Sequence, residues 1–479
     1  MPLPLQFQQS LESLSKFYYN KYPKTDKDFH IFKEHAEINY NKSYINQEKI
    51  VSIIDTVTAA YKPYIDTYVK EFKYDIPAII LPQNSFGSVT DIAVRGLTRK
   101  QIKKLNHSTD NKNDPLSDDY AYNLLPSRQK YVPRGLSICE IYSNKEEPRK
   151  EEELFYDICI FGTKKFTGAT KQDDDDNIDT KGKKYEIQSL DLKEKIVVMK
   201  KINGEALHVS GRYIQNIFYY FVGSKKNHIM IRDEKDIELY TLQNHVHAKT
   251  FARIFMKFLH SLSLDKREIL QSLLHYTKCT MGCEILQPSY QHVVHISGED
   301  NIIVFFAFTS PFNNDDTLTA FPPHIACKVM EALDFHTAPY NIKKITNNVQ
   351  AEIINETRLD ENTEGNVMYY LNKSNETICL LKVKSLWYIF LRALREKFAF
   401  YVAQKKNLTN KEIKTKINKR FDEIYKDFAV GDDNILQKYK TIANSFIDWF
   451  DETRLSQTEC VKSQFPVLYN KFLERTWSL

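Results

Sequence analysis

Apolar side chains recur at three- and four-residue intervals from Leu5 to about Tyr74, with Leu11, Leu14, Phe17 and Tyr18 in phase, then Ile50, Val51, Ile54, Val57, Tyr61 and Tyr64. That period predicts helices, so residues 1–90 read as an N-terminal helical region. The pattern then changes. Val132 to Glu140 enters a strand with alternating apolar positions, Val197-Val198-Met199 is a short apolar run, and Leu207 to Arg212 and Phe218 to Val222 read as strands. A glutamate strand around Glu284 leads through a loop to a second strand, Gln291 to His295, and Ile302 to Phe308 reads as a buried strand. Helical periods return from His245 to His275, with Phe251, Ile254, Phe255, Phe258 and Leu259 on one face, and beyond Trp387, with Leu391, Leu394, Phe398 and Tyr401 in phase. Ser108 to Asp118 is a polar loop, and Asp173 to Asp176 is another, because adjacent carboxylates repel one another into solvent. The elements add up to an α+β chain: the helical region 1–90, a mixed domain over 91–390 and a helical domain over 391–479.

With 479 residues the chain can bury a sizeable core in two or three domains. A net charge of +5 permits a nucleic-acid partner if the basic residues gather on one face, but does not require one. The seven cysteines are scattered, and Cys279 and Cys283, the one close pair, have no companion pair at zinc-site spacing. A reducing compartment, cytoplasmic or nuclear, is the expectation. The N-terminus lacks a basic region followed by an apolar core, and no apolar run is long enough to cross a bilayer, so no membrane association is expected.

Candidate chemistry starts at Lys201. It follows the apolar run and precedes Asn203-Gly204, a dipeptide that tolerates positive φ and marks a tight turn. A lysine held on such a backbone becomes a nucleophile if neighbouring cations or partial burial lower its pKa; taken alone, the stretch is equally an ordinary hairpin. Glu284, among apolar neighbours, is costly to bury unless paired. Lys382 and Lys384 share one side of a strand by its period of two, and two such cations repel unless an anion sits between them. Arg134-Gly135 could present a guanidinium fork to a phosphate, with Arg95-Gly96 as its rival. Lys165 reads as a solvated loop lysine. The stretch containing Lys405, Lys406, Lys411, Lys414, Lys416, Lys419 and Arg420 is either a solvated helix face or a grip on an RNA backbone.

In order, Lys201-Ile202-Asn203-Gly204, Ser224-Lys225, Cys283-Glu284, Glu364-Gly365-Asn366-Val367 and Lys382-Val383-Lys384 resemble the motifs of the covalent nucleotidyltransferases, and most closely the bacteriophage RNA ligase and tRNA ligase branch. The resemblance spans roughly Arg134 to Tyr388. It implies a nucleotidyltransferase, or ATP-grasp-like ligase, core of antiparallel sheets with flanking helices. It implies Lys201 as the nucleophile that takes AMP from ATP, with Lys382 and Lys384 on the α-phosphate and Glu364 and Glu284 near Mg²⁺, for which Mn²⁺ can substitute. Arg134, Lys165, Asn203, Gly204, Lys225 (or Arg212) and Phe306 would complete the ATP site, Phe306 by stacking on adenine. The partner implied is RNA with 5′-phosphate and 3′-hydroxyl ends. A GTP-using capping enzyme and a non-catalytic RNA-binding module are the alternatives.

Overall fold

The computed structural model describes residues 2–24, 26–45, 50–65, 68–96, 121–122, 131–143, 153–170, 172–173, 186–313, 316–403, 408–428, 433–453 and 462–477. Ser108 to Asp118, Asp174 to Asp176, Lys405 and Lys406 lie outside the described residues.

The chain is α+β. Three helices, α1 (Leu5–Lys21), α2 (Asp28–Ile45) and α3 (Ile50–Tyr61), open it. The expected helical region is cut short after Pro63, in a single 3₁₀ turn, Lys62–Tyr64, and strands follow. β1 (Val69–Asp75) pairs with β2 (Phe86–Val94) from Val69 opposite Val94 to Asp75 opposite Ser88. Tyr and Phe fit either period in this stretch, and the pairing partner decides. With β3 (Leu136–Tyr142) and β4 (Glu153–Phe161) these strands form an antiparallel sheet in the order β1-β2-β3-β4.

Two larger sheets hold the middle of the chain. One runs β13-β6-β14-β15-β5, from β5 (Thr167–Gly168), β6 (Lys195–Lys200), β13 (Tyr340–Lys344), β14 (Gly365–Leu371) and β15 (Thr377–Lys384). The other runs β12-β11-β10-β7-β8-β9, from β7 (Glu205–Ile214), β8 (Ile217–Gly223), β9 (His228–Ile231), β10 (Thr280–Leu286), β11 (Ile302–Thr309) and β12 (His336–Thr337). Pairing is antiparallel except at two short edges, β15 with β5 and β11 with β12. One apolar core joins the sheets to α1, α2, α4 (Val246–Ser261), α5 (Leu264–Thr277) and α6 (Pro323–Ala332). Helix α7 (Val349–Leu359) covers the outer face of the five-stranded sheet, where Val349 and Ile353 meet Met368 and Ile378.

The tight hairpin lies at Gln215-Asn216, both at positive φ, joining β7 to β8. Asn203-Gly204, the expected turn, is something else. Neither residue has positive φ, and β6 and β7 do not pair: β6 lies between β13 and β14, β7 between β8 and β10. The segment after Lys201 is therefore a crossing from one sheet to the other. Gln291 to His295, expected as a strand, is irregular, because its backbone bonds to side chains and not to a neighbouring strand.

The last helices, α8 (Leu386–Ala403), α9 (Asn410–Tyr425), α10 (Asp433–Thr453) and α11 (Phe465–Trp477), gather around a separate core that includes Phe390, Phe421, Phe446 and Phe465. Among the described residues no helix is long and apolar enough to cross a membrane.

Candidate active site

The sheet crossing delivers Lys201 to a cavity between the five- and six-stranded sheets, bordered by residues of both, among them Met199, Val367, Glu284 and Phe306. Its backbone is fixed, since Lys201 N–H donates to the Gly365 carbonyl at 2.8 Å. Lys200 is engaged differently: its Nζ meets Asp360 Oδ2 at 2.6 Å. Gly204 is required by contact, because a Cβ there would lie 2.3 Å from the Ile285 carbonyl oxygen of β10.

Lys201 Nζ lies 2.8 Å from Glu364 Oε1. Burial works to lower its pKa, but the charge of Glu364, with Glu284 behind it, outweighs burial and holds the ammonium above an ordinary lysine. The expected depression is thus reversed, since carboxylates and not cations are its nearest charges. Burial likewise works to raise Glu364, and Lys201 and Lys384 outweigh it and hold the carboxyl below its usual range. Gly365, at φ +136°, makes the turn that places Glu364, and a Cβ there would meet the Val383 carbonyl oxygen at 2.0 Å.

Asn203 ties three segments together. Its Nδ2 donates to Glu364 Oε2 at 2.7 Å, and its Oδ1 accepts from the backbone N–H groups of Val293 and Val294, each at 3.0 Å. Two backbone donors on one side fix the amide so that its donor side faces the carboxylate.

Lys382 and Lys384 both project from β15 and are buried, at 7% and 3% exposure. Lys382 borders the cavity, 6.0 Å from the Phe166 ring, whereas Lys384 stands beside Glu364 with its Nζ 5.7 Å from the Tyr388 ring. The end of β15 is clamped. Asp173 Oδ1 accepts from Lys384 N–H at 2.7 Å, and Arg358 pairs with Asp173 at 2.5 and 2.6 Å while donating to the Lys384 carbonyl. Asp173, expected in a solvated acidic loop, is fully buried, because Arg358 neutralises it and Thr170 donates to it twice.

Glu284 reaches the cavity from β10, between Ala206 and Val304 on the flanking strands. Burial raises its pKa to about 7, and its Oε2 has no hydrogen-bond partner. A β-bulge aims Phe306. Gly282 pairs with Ala307 and Cys283 with Phe305, which leaves Phe306 with no opposite residue and turns its ring into the cavity, while Phe305 stays in the core.

Arg134 and Lys165 border the same cavity, brought together where Arg134 N–H bonds the Thr163 carbonyl and Gly162 N–H the Gly135 carbonyl. Lys165 is only 2% exposed, so the expectation of a solvated lysine does not hold. Arg95 is not on the cavity wall. Lys225, after β8, borders it; its rival Arg212 is buried at 1% exposure and bound to Asp157 at 2.8 Å, beside Lys278, as an internal ion pair.

His208 is one of several wall residues, Lys164 and Phe166 among them, that the sequence does not single out. His208 borders the cavity with its Nδ1 3.4 Å from His228 Nε2, and His228 Nδ1 lies 2.8 Å from Asp91 Oδ1. Burial, then the neighbouring His228, lowers the His208 pKa to about 3, so a neutral imidazole faces the cavity. Asp91 also accepts from Tyr74 Oη, Asn227 Nδ2 and His228 N–H. The available signal was a histidine inside an otherwise apolar strand, Leu207 to Val209.

Among the described residues no group of three or more His, Cys, Asp or Glu side chains is arranged to hold a metal ion. Two carboxylates, Glu364 and Glu284, face the lysine, and one oxygen of Glu284 is unbonded. That donor set fits a hard cation held mainly by phosphate oxygens, the way Mg²⁺ is usually bound, better than an all-protein cage. No family model matches the chain, and no curated protein matches it either.

Proposed function

We propose that this protein is an ATP-dependent RNA ligase that joins 5′-phosphate and 3′-hydroxyl RNA ends through a lysyl-AMP intermediate on Lys201. One observation carries the reading: Lys201, on the crossing that follows β6, and Glu284, Phe306 and Lys382, from three strands of the two sheets, border one cavity, with Glu364 in contact with the lysine.

ATP is a substrate in this scheme. Phe306 offers a face for the adenine in a cavity that Met199 and Val367 also line with apolar surface. Lys382 bears on the α-phosphate, where negative charge builds in the transition state, and Arg134, Lys165 and Lys225 gather the departing end. Lys201 Nζ gives up one proton to solvent to become the amine, bonds the α-phosphorus as the bond to pyrophosphate breaks, and releases a second proton to solvent to leave the neutral phosphoramidate nitrogen. An RNA 5′-phosphate oxygen then attacks that phosphorus, the P–N bond breaks as the nitrogen takes a proton from solvent, and a second proton from solvent restores the Lys201 ammonium. Finally the RNA 3′-hydroxyl attacks the 5′-phosphate, loses its proton to solvent and expels AMP. Glu364 and Glu284 would hold Mg²⁺, or Mn²⁺, whose charge polarises the phosphate oxygens. Glu364 then has a competing partner for its charge, which loosens its hold on the Lys201 proton.

Incubation with α-labelled ATP, and separately GTP, with Mg²⁺ should leave acid-labile label on the polypeptide from ATP. Label should be absent in Lys201→Ala and retained in Lys200→Ala, because Lys200 is committed to Asp360. Label from GTP alone would replace the proposal with a capping activity. No label on folded protein free of prior adenylation would remove the enzyme and leave an RNA-binding module.

A further inference from the structure

Far from the cavity, α8 and α9 enclose a cleft lined by Lys397 and Phe400 of α8 and by Lys416, Lys419, Arg420 and Glu423 of α9. The α9 residues fall at i, i+3, i+4 and i+7 and so share one face, flanking the buried stripe of Ile413, Ile417, Phe421 and Ile424. Arg420 pairs with Glu423 at 3.3 Å. Among the described residues Lys397, Lys416 and Lys419 make no ion pair within 4 Å, and Glu412, one turn before Lys416, is bonded to the Thr409 cap and reaches Lys416 only through the longer-range field of its charge. Phe400 is 49% exposed among these cations, although the same helix buries Phe390 and Phe398. An exposed ring in a cleft that lines up three lysines and an arginine against one glutamate suits a polyanion that also carries flat, stackable faces.

The position of the cleft says which part of such a ligand it would meet. Tyr388 and Arg395, seven residues apart on α8, point towards the active site, with Tyr388 Oη 3.5 Å from Asn203 Nδ2 and Arg395 donating to the His292 carbonyl. At 100° per residue, Lys397 and Phe400 lie about 180° and 120° around the helix from Tyr388. Phe400 is also roughly 20 Å along the axis from Leu386, at 1.5 Å per residue. The cleft therefore opens on the flank turned away from the lysine. A strand reaching both places must cover that length and a helix diameter of about 10 Å, on the order of eight or more stacked nucleotides at 3.4 Å each.

We infer that the α8–α9 cleft is a second RNA site, which binds the phosphate backbone of a segment remote from the ends being joined and stacks an unpaired base on Phe400. The inference rests on the RNA ligase reading for the identity of the polyanion, and its test separates the two.

Full-length Lys416→Glu/Lys419→Glu and Phe400→Ala proteins would be titrated into fluorescein-labelled single-stranded RNA of 6 and 30 nucleotides across a salt series. Lysyl-AMP formation would be measured alongside. The charge reversal should weaken 30-mer binding about tenfold or more at ~0.1 M salt and flatten the log–log salt slope by about 1.4, two contacts at about 0.7 each. Phe400→Ala should weaken it about tenfold with the slope unchanged, since stacking releases no counterions. Binding of the 6-mer and lysyl-AMP formation should not change. Unaltered 30-mer binding in the charge-reversed protein overturns the inference, as does polyglutamate of matched charge competing as well as RNA, which would assign the face to an acidic protein. Absence of lysyl-AMP from every protein defeats the ligase reading alone, and the 30-mer results still decide the cleft.

Discussion

Glu284 and Glu364 face one ammonium yet hold protons oppositely. Glu364 receives hydrogen bonds from Lys201 and Asn203, whereas Glu284 has the cation's field but an unbonded Oε2, and burial wins there. Below about pH 4.5 the folded and unfolded chains both keep the Glu284 proton. Between 4.5 and about 7 the folded chain holds more of it, so stability falls as pH rises, and above 7 the full penalty stands. At about 1.4 kcal/mol per pH unit that penalty is up to ~3.5 kcal/mol. Metal-free Glu284→Gln should therefore be more stable than wild type to urea at pH 8, with the gap closing towards pH 5; a gap independent of pH would reject the assignment. Asn203 supplies a second prediction. Its Nδ2 faces Glu364, so Asn203→Asp sets two carboxylates against each other at 2.7 Å. Lysyl-AMP formation should drop at least tenfold, with Asn203→Gln no rescue because its longer arm displaces the Val293 and Val294 bonds. Equal rates in wild type and Asn203→Asp would show that the amide's direction is immaterial.

Strands place these side chains, and two local devices refine the placement. The bulge on β11 turns Phe306 into the cavity, and Gly282 across from it leaves room, since a Cβ there would lie 2.7 Å from the Phe306 ring. Gly282→Ala should push the ring aside and raise KM for ATP severalfold with a smaller change in kcat; a fall in kcat alone would place the ring's role elsewhere. The Asp173–Arg358 clamp fixes the end of β15. Asp173→Ala leaves Arg358 buried and unpaired, and removing one partner of a buried pair costs about 3–5 kcal/mol. A loss under 1 kcal/mol in urea unfolding would show that the pair is not holding the strand. The apolar run before Lys201, the Glu-Gly turn before β14 and the period-two lysines of β15 were legible in the sequence because each signal lies within one strand. What stayed hidden depends on partners distant in sequence. Nothing local shows that β6 and β7 belong to different sheets, that Asp173 meets an arginine 185 residues away, or that a register slip selects Phe306 over Phe305. The strand at Val69 was masked by tyrosines that suit either period.

At the scale of the molecule, the C-terminal helices form one wall of the site's support. Val293, whose N–H holds Asn203, packs in their core, Arg395 holds the His292 carbonyl, and α8 begins two residues after Lys384, its first turn capped by Ser385 Oγ at 3.0 Å from Tyr388 N–H. Lys438 reaches Glu361, three residues before Glu364, at 2.6 Å. Melting these helices should therefore release Asn203, then Glu364, before the strands themselves unfold. The sequence supplies the probe, since all three tryptophans, Trp387, Trp449 and Trp477, lie in this part of the chain. In a urea titration, tryptophan fluorescence should change at the same midpoint at which lysyl-AMP formation is lost, while β-sheet signal in the far ultraviolet persists at that concentration. Arg395→Ala, which removes one anchor of the loop and leaves the aromatic core of Phe390, Phe421 and Phe446 intact, should lower both midpoints together. If lysyl-AMP formation outlasts the fluorescence change, the helices do not support the site, and the bonds from Asn203 to Val293 and Val294 must be maintained by the loop alone.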